Sequence, residues 1–229
     1  MARGAKRVER PLPPPLPPAE RTVGQLVAET IKLYGRRFMS ALPIGLVVAA
    51  INQLTVDADR LAVGAILIGA APVFSAAYAY ACQLEAESVA RRSWLVAIVA
   101  GTIVFVPAAL FFPWFALAAV LWLGLAGLAV PAAMREGTSV AGSLRRGFEL
   151  GRVDYLHAAG ALATLVILFF LMRIGLALVL ESQADNTVRT AIFLSDAVLA
   201  PMLFLGGAIL YEDQTARLER RTKASEPAT

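Results

Sequence analysis

Trp94 to Met134 reads WLVAIVAGTIVFVPAALFFPWFALAAVLWLGLAGLAVPAAM, 41 consecutive positions without a charged side chain. About 20 apolar residues cross the hydrocarbon of a bilayer, so a run this long holds two crossings. Pro113, within F-F-P-W, cannot extend a helix without losing a backbone bond and is the natural corner between them. The run is continuously apolar rather than alternating, which predicts helices and not a transmembrane barrel, because lipid leaves no unpaired strand edge satisfied. Composition agrees. Hydrophobic residues are 58 % of 229 positions and charged residues 17 %, against roughly 45–50 % and about 25 % in a soluble domain.

On the C-terminal side of this run lies a polar island, MREGTSVAGSLRRGFELGRVD (Met134 to Asp154). At helical spacing Val140, Leu144, Gly147, Phe148 and Gly151 share one face, and Arg145, Arg146, Glu149 and Arg152 take the other. This predicts an interfacial amphipathic helix over 138–152, its cations at anionic headgroups and its apolar face in the acyl boundary. A second such helix is predicted over 22–37, opened by a Thr22-x-x-Gln25 capping box, with Arg36 and Arg37 at its end. The fold class is an all-α polytopic membrane bundle with six transmembrane helices, over 38–56, 61–84, 94–112, 114–134, 155–180 and 190–211. Residues 1–21, basic and proline-rich without an apolar h-region, read as a disordered tail rather than a signal peptide. Their P-x-x-P spacing between Pro11 and Pro18 reads as an extended tether or as a docking motif. Residues 222–229 read as a second disordered tail. Small residues spaced by four, Ala65 with Gly69 and Gly160 with Thr164, predict close helix packing.

Eighteen of the 21 lysines and arginines fall on the side that carries both termini, and the opposite side keeps Arg60 and Arg189. By the positive-inside rule that side is cytoplasmic, in a plasma (inner) membrane. The formal charge of +4 is therefore sorted by membrane side, which argues against nucleic acid as a partner and for anionic lipid headgroups, contacted by Arg36, Arg37, Arg145, Arg146 and Arg152.

Candidate chemistry is sparse. Arg173 and Asp196 are ionised side chains deep in predicted spans, where each alone would cost roughly 2.5–3.5 kcal/mol. Arg173 precedes Glu181 by eight residues and Asp196 follows Asn186 by ten, depths of about 12 Å and about 15 Å on antiparallel neighbours. Three readings stay open: the two neutralise each other as an intramembrane ion pair; they line a polar cavity with Asn52 and Gln53 that binds a charged solute or relays protons; or Arg173 snorkels to the outer surface. His157 reads as an interfacial hydrogen-bonding residue and Cys82 as a packed thiol, and one histidine with one cysteine argues against a metal site. The segment D-Q-T-A-R (Asp213 to Arg217) is similar to part of the CDP-alcohol phosphotransferase motif, but the D-G pair and the later aspartates are missing. No G-x-S-x-G, H-E-x-x-H or G-x-x-x-x-G-K-[ST] occurs, so neither catalytic residues nor cofactors are expected.

T-V-G-Q-L-V-A-E-T-I-K-L-Y-G-R-R-F (Thr22 to Phe38), V-P-A-A-M-R-E-G-T-S-V-A-G-S-L-R-R-G-F-E-L (Val130 to Leu150) and A-I-L-Y-E-D-Q-T-A-R (Ala208 to Arg217) fall in an order that resembles the membrane domain of glycerophosphoryl diester phosphodiesterases and related stand-alone six-span proteins. In the full enzymes the resemblance implies a separate soluble barrel that cleaves glycerophosphodiesters, and no stretch of these 229 residues could be that barrel. What the resemblance implies here is a non-catalytic anchor or scaffold, with a possible protein partner on the cytoplasmic face. The alternative is a permease or transporter subunit using the region of Arg173 and Asp196.

Overall fold

The computed structural model describes residues 16–85 and 91–225, and the side chains of 91 and 92 lie outside that description. The described chain is all-helical. Helices α1 (Val23–Arg36) and α2 (Phe38–Leu54) are followed by α3 (Arg60–Glu85), α4 (Arg91–Phe111), α5 (Ala116–Ala126) and α6 (Ala129–Glu136). Then come α7 (Val140–Val153), α8 (Tyr155–Val179), α9 (Asp185–Leu199) and α10 (Pro201–Ser225).

Local chemistry sets the boundaries. Thr22 and Gln25 form the expected reciprocal capping box at α1, which satisfies two backbone N–H groups that a helix start leaves free. Gly137, at φ 62°, ends α6 in the left-handed region that glycine enters without steric cost. Ser139 Oγ accepts the Gly142 N–H at the start of α7, and Asp154 Oδ1 accepts the His157 N–H at the start of α8. Pro201 brings no N–H to the ladder, and the last helical stretch is offset there into α9 and α10.

Five helical stretches are long and apolar enough to cross a membrane, or six if the bent pair α1 and α2 counts as one. The first predicted crossing is therefore short. Helix α2 has 17 residues, fewer than the about 20 a span needs, and α1 joins it at 105°. The fourth crossing runs as α5 and α6, interrupted at Gly127 and Leu128, and the sixth as α9 with the first half of α10.

Six helices close a ring in the order α2, α3, α4, α5, α8, α9, each packed on the next and α9 back on α2. The tightest crossing places Gly45 against the Ala197 carbonyl, where an added Cβ would overlap the backbone. Gly69, by contrast, faces open space, and an added Cβ at Gly160 would meet Val23 Cγ2 at 3.8 Å, so neither predicted small-residue pair is a close contact. Helix α10 enters beneath the ring and packs on α1, α3 and α8, while α1, α6 and α7 complete the end of the bundle that carries it. That end holds most of the large, fully enclosed side chains, among them Leu26, Leu128, Leu150, Leu205 and Leu210. The opposite end is looser. Helix α8 has only 11 % of its most apolar stretch buried, and Ile167, Leu171, Met172, Ile174 and Leu178 are exposed along it.

Three expectations are corrected. Helix α7 is docked rather than lying free: its Gly147 and Gly151 sit against the backbones of Ala129 and Leu125, and Phe148 stacks edge-on to Trp122. A helical wheel identifies an apolar face but not whether lipid or protein covers it. Residues 18–21, assigned to a disordered tail, form a turn (Pro18–Glu20) packed on α10. Residues 222–225, assigned likewise, continue α10 to Ser225. The segment from Pro11 to Pro15 and residues 226–229 lie outside the described residues.

Candidate functional site

Two polar constellations stand out from the apolar bundle. The first lies between α8 and α9, where Arg173 Nη1 is 3.2 Å from Asp196 Oδ2. The same carboxylate oxygen accepts a hydrogen bond from Asn52 Nδ2 at 2.9 Å. Asp196 is 1 % exposed and its Oδ1 has no hydrogen-bond partner among the described residues. The Arg173 side chain keeps 25 % exposure, and its guanidinium lies over the Phe169 ring at 5.8 Å. Opposite charges this close offset each other, the Asn52 amide adds a hydrogen bond to the carboxylate, and three side chains thereby link α2, α8 and α9. Arg173 thus faces a carboxylate instead of snorkelling outward.

Gln53 does not join them. Its Nε2 donates to the Arg189 carbonyl at 3.1 Å. One residue of offset on a helix turns a side chain by about 100°, so Asn52 and Gln53 could not both reach one cavity. The cavity that Asn52 and Arg173 do reach occupies about 600 Å³ inside the ring. Phe74, Tyr78, Phe105, Phe169 and Phe204 make its walls and floor, and its polar side chains are Asn52, Thr55 and Arg173 together with the Tyr78 hydroxyl.

The second constellation was not foreseen. Residues 211–220 of α10 reach five other segments. Tyr211 Oη donates to Glu136 Oε1 at 2.8 Å, and Glu212 lies 3.5 Å from Arg135, which also pairs with Glu85. Asp213, fully buried, accepts from Arg21 at 3.0 Å and lies 3.7 Å from His157 Nε2. Gln214 donates to the Asp154 carbonyl; Arg217 bridges Asp154 Oδ2 and the Arg21 carbonyl, both at 2.7 Å. Arg220 pairs with Glu20 at 2.5 Å. His157, expected as an interfacial hydrogen-bonding residue, is thus the neighbour of a buried carboxylate, and its Nε2 makes no hydrogen bond among the described residues. The sequence signal was the dense polar run Y-E-D-Q-T-A-R itself, longer than a membrane boundary requires.

The predicted lipid-contact arginines divide. Arg36, Arg37, Arg145 and Arg152 are exposed, the last two beside an open basin over Phe148. Arg146 is not free for lipid, because Glu136 and Glu149 hold it at 2.8 and 3.0 Å. Burial alone would lower the Arg146 pKa, but these two carboxylates outweigh it and hold the guanidinium above its ordinary value. Cys82 is buried as a free thiol. Among the described residues no three histidine, cysteine or acidic side chains converge in a way that could hold a metal ion.

The class these features define is an all-helical chain whose long apolar helices are compatible with a multi-pass membrane protein. Comparison with family models, with curated proteins and with solved structures finds no match to this chain.

Proposed function

We propose that this chain is a non-catalytic multi-pass protein of a plasma (inner) membrane, both ends cytoplasmic, whose basic end is a rigid platform that anchors or scaffolds partners at an anionic leaflet. The observation that carries the reading is the ionic layer around residues 211–220, which ties the N-terminal segment, α6 and α8 to one helix, with α3 joined to α6 through Glu85 and Arg135. Charges enclosed this way contribute less to stability than to a unique geometry, which a docking platform needs and a simple anchor does not. Arg36, Arg37, Arg145 and Arg152 are exposed, and each cation near an anionic leaflet adds about 1 kcal/mol of attraction. The resemblance to the phosphodiesterase membrane domain supports the same role.

The test has two arms. Tags at both termini should resist external protease in intact cells, and detergent-extracted protein carrying glutamine at the four exposed arginines should lose the partners and anionic lipids that the parent chain co-purifies. Tags cleaved from outside, or an unchanged set of co-purified molecules, would overturn the proposal. A permease is the second reading, favoured by the cavity inside the ring. Its mainly apolar walls suit an amphiphile better than a hydrated solute.

A further inference from the structure

We infer that the cavity inside the ring is a phospholipid site that takes one acyl chain between its aromatic walls and holds the lipid phosphate on Arg173. The inference rests on membrane placement and not on the platform role. A volume of about 600 Å³ lies in the range of about 300–1,000 Å³ typical of ligand sites. Its polarity is graded. Phe74, Tyr78, Phe105 and Phe204 pack ring against ring at 6.0 to 6.5 Å and form an aromatic floor whose one hydroxyl is that of Tyr78, while Arg173 stands nearer the loose end of α8, six residues before Val179. That distance is about 9 Å along the helix, which places the guanidinium within reach of the headgroup region and the floor well inside the hydrocarbon.

The guanidinium has capacity to spare. It carries five N–H donors, and one carboxylate oxygen at 3.2 Å leaves most of them without a protein acceptor among the described residues. The Arg173 side chain keeps 25 % exposure, so its unused donors are open to a ligand, and a phosphate oxygen accepts from a guanidinium in the strongest geometry available to it. Thr55 cannot substitute, because its hydroxyl already donates to the Asn52 carbonyl, and Asn52 has one of its two amide N–H groups committed to Asp196. Access is lateral, past the outer half of α8, whose Ile167, Leu171 and Ile174 are bare and whose Gly175 meets no neighbour.

The experiment uses the full chain in maltoside micelles and phosphatidylglycerol with a photoactivatable diazirine midway along one acyl chain. Adducts are expected on peptides containing Phe74, Phe105 or Phe169, and unlabelled phosphatidylglycerol should compete about tenfold better than diacylglycerol of the same chains, equivalent to about 1.4 kcal/mol. Arg173→Gln with Asp196→Asn keeps a neutral hydrogen-bonded pair; it should erase the advantage of the phosphate yet leave the aromatic adducts. Ala108→Phe, which fills the cavity, should abolish those adducts while outward positions such as Leu156 remain labelled. Adducts confined to outward residues, or equal competition by phosphatidylglycerol and diacylglycerol against the parent chain, would overturn the inference. Should Ala108→Phe fail to fold, the competition on the parent chain decides alone. Protein that needs no detergent to stay in solution would refute membrane placement itself, a separate result.

Discussion

Replacing Asp196 by alanine removes the acceptor for Asn52 and the counter-charge of Arg173 in one step. Breaking an enclosed ion pair from one side costs about 3–5 kcal/mol when both partners are sealed. Arg173 retains 25 % exposure, so part of that cost is relieved by bending toward the loose end, and about 2–3 kcal/mol is expected for Asp196→Ala. In the double variant with Arg173→Ala no stranded cation remains. Its cost is the lost Asn52 hydrogen bond and some packing, about 1–1.5 kcal/mol. The double variant is therefore expected to lose about 1 kcal/mol less than Asp196→Ala alone, and the full coupling adds to that difference the cost of Arg173→Ala, which strands the enclosed Asp196 carboxylate. Equilibrium unfolding of the detergent-extracted protein, run on both single variants and the double, reads the cycle directly. Equal losses for Asp196→Ala and the double variant would refute the pairing, and so would a double loss equal to the sum of the singles.

Other perturbations follow from the same packing. Gly45→Ala drives a methyl group into the Ala197 carbonyl and should cost about 1–3 kcal/mol in the same assay, whereas Gly69→Ala, facing open space, should stabilise α3 by about 0.5–1 kcal/mol. Asp213→Ala strands Arg21 beside a carboxylate site with 0 % exposure, so hydrogen exchange along 213–225 and at residues 18–22 should accelerate together; acceleration confined to one of them would separate the two segments. The Arg146 pKa is raised in the folded chain, so its contribution is complete below the ordinary arginine value and fades only as pH climbs through the raised one. Arg146→Ala should therefore lose the same stability at about pH 7 and about pH 9.

Much of the helical layout was legible because a bilayer-length apolar run has few alternatives. Trp94 to Met134 divided at Pro113, and Thr22 with Gln25 marked a helix start, each through local chemistry that needs no partner. The charges on α8 and α9 were comparable by depth because both helices are antiparallel rods of fixed rise. What escaped were features set by distant contacts. Whether Gly147 and Gly151 meet lipid or the α5 and α6 backbone is invisible on a wheel of α7 alone. The partnership of Arg21 with Asp213 joins residues 192 positions apart, and no spacing rule connects them. Asn52 and Gln53 were grouped by adjacency, although neighbours on a helix point apart.

The Arg21, Glu20 and Asp213, Arg220 contacts also fix an order of assembly. The segment around Glu20 is made well before α10, so it stays unfastened until its counterparts, 192 and 200 positions later, have emerged. A chain cut before Asp213 would leave that segment without its counterparts, a substrate for quality-control proteases rather than a smaller working version of the whole.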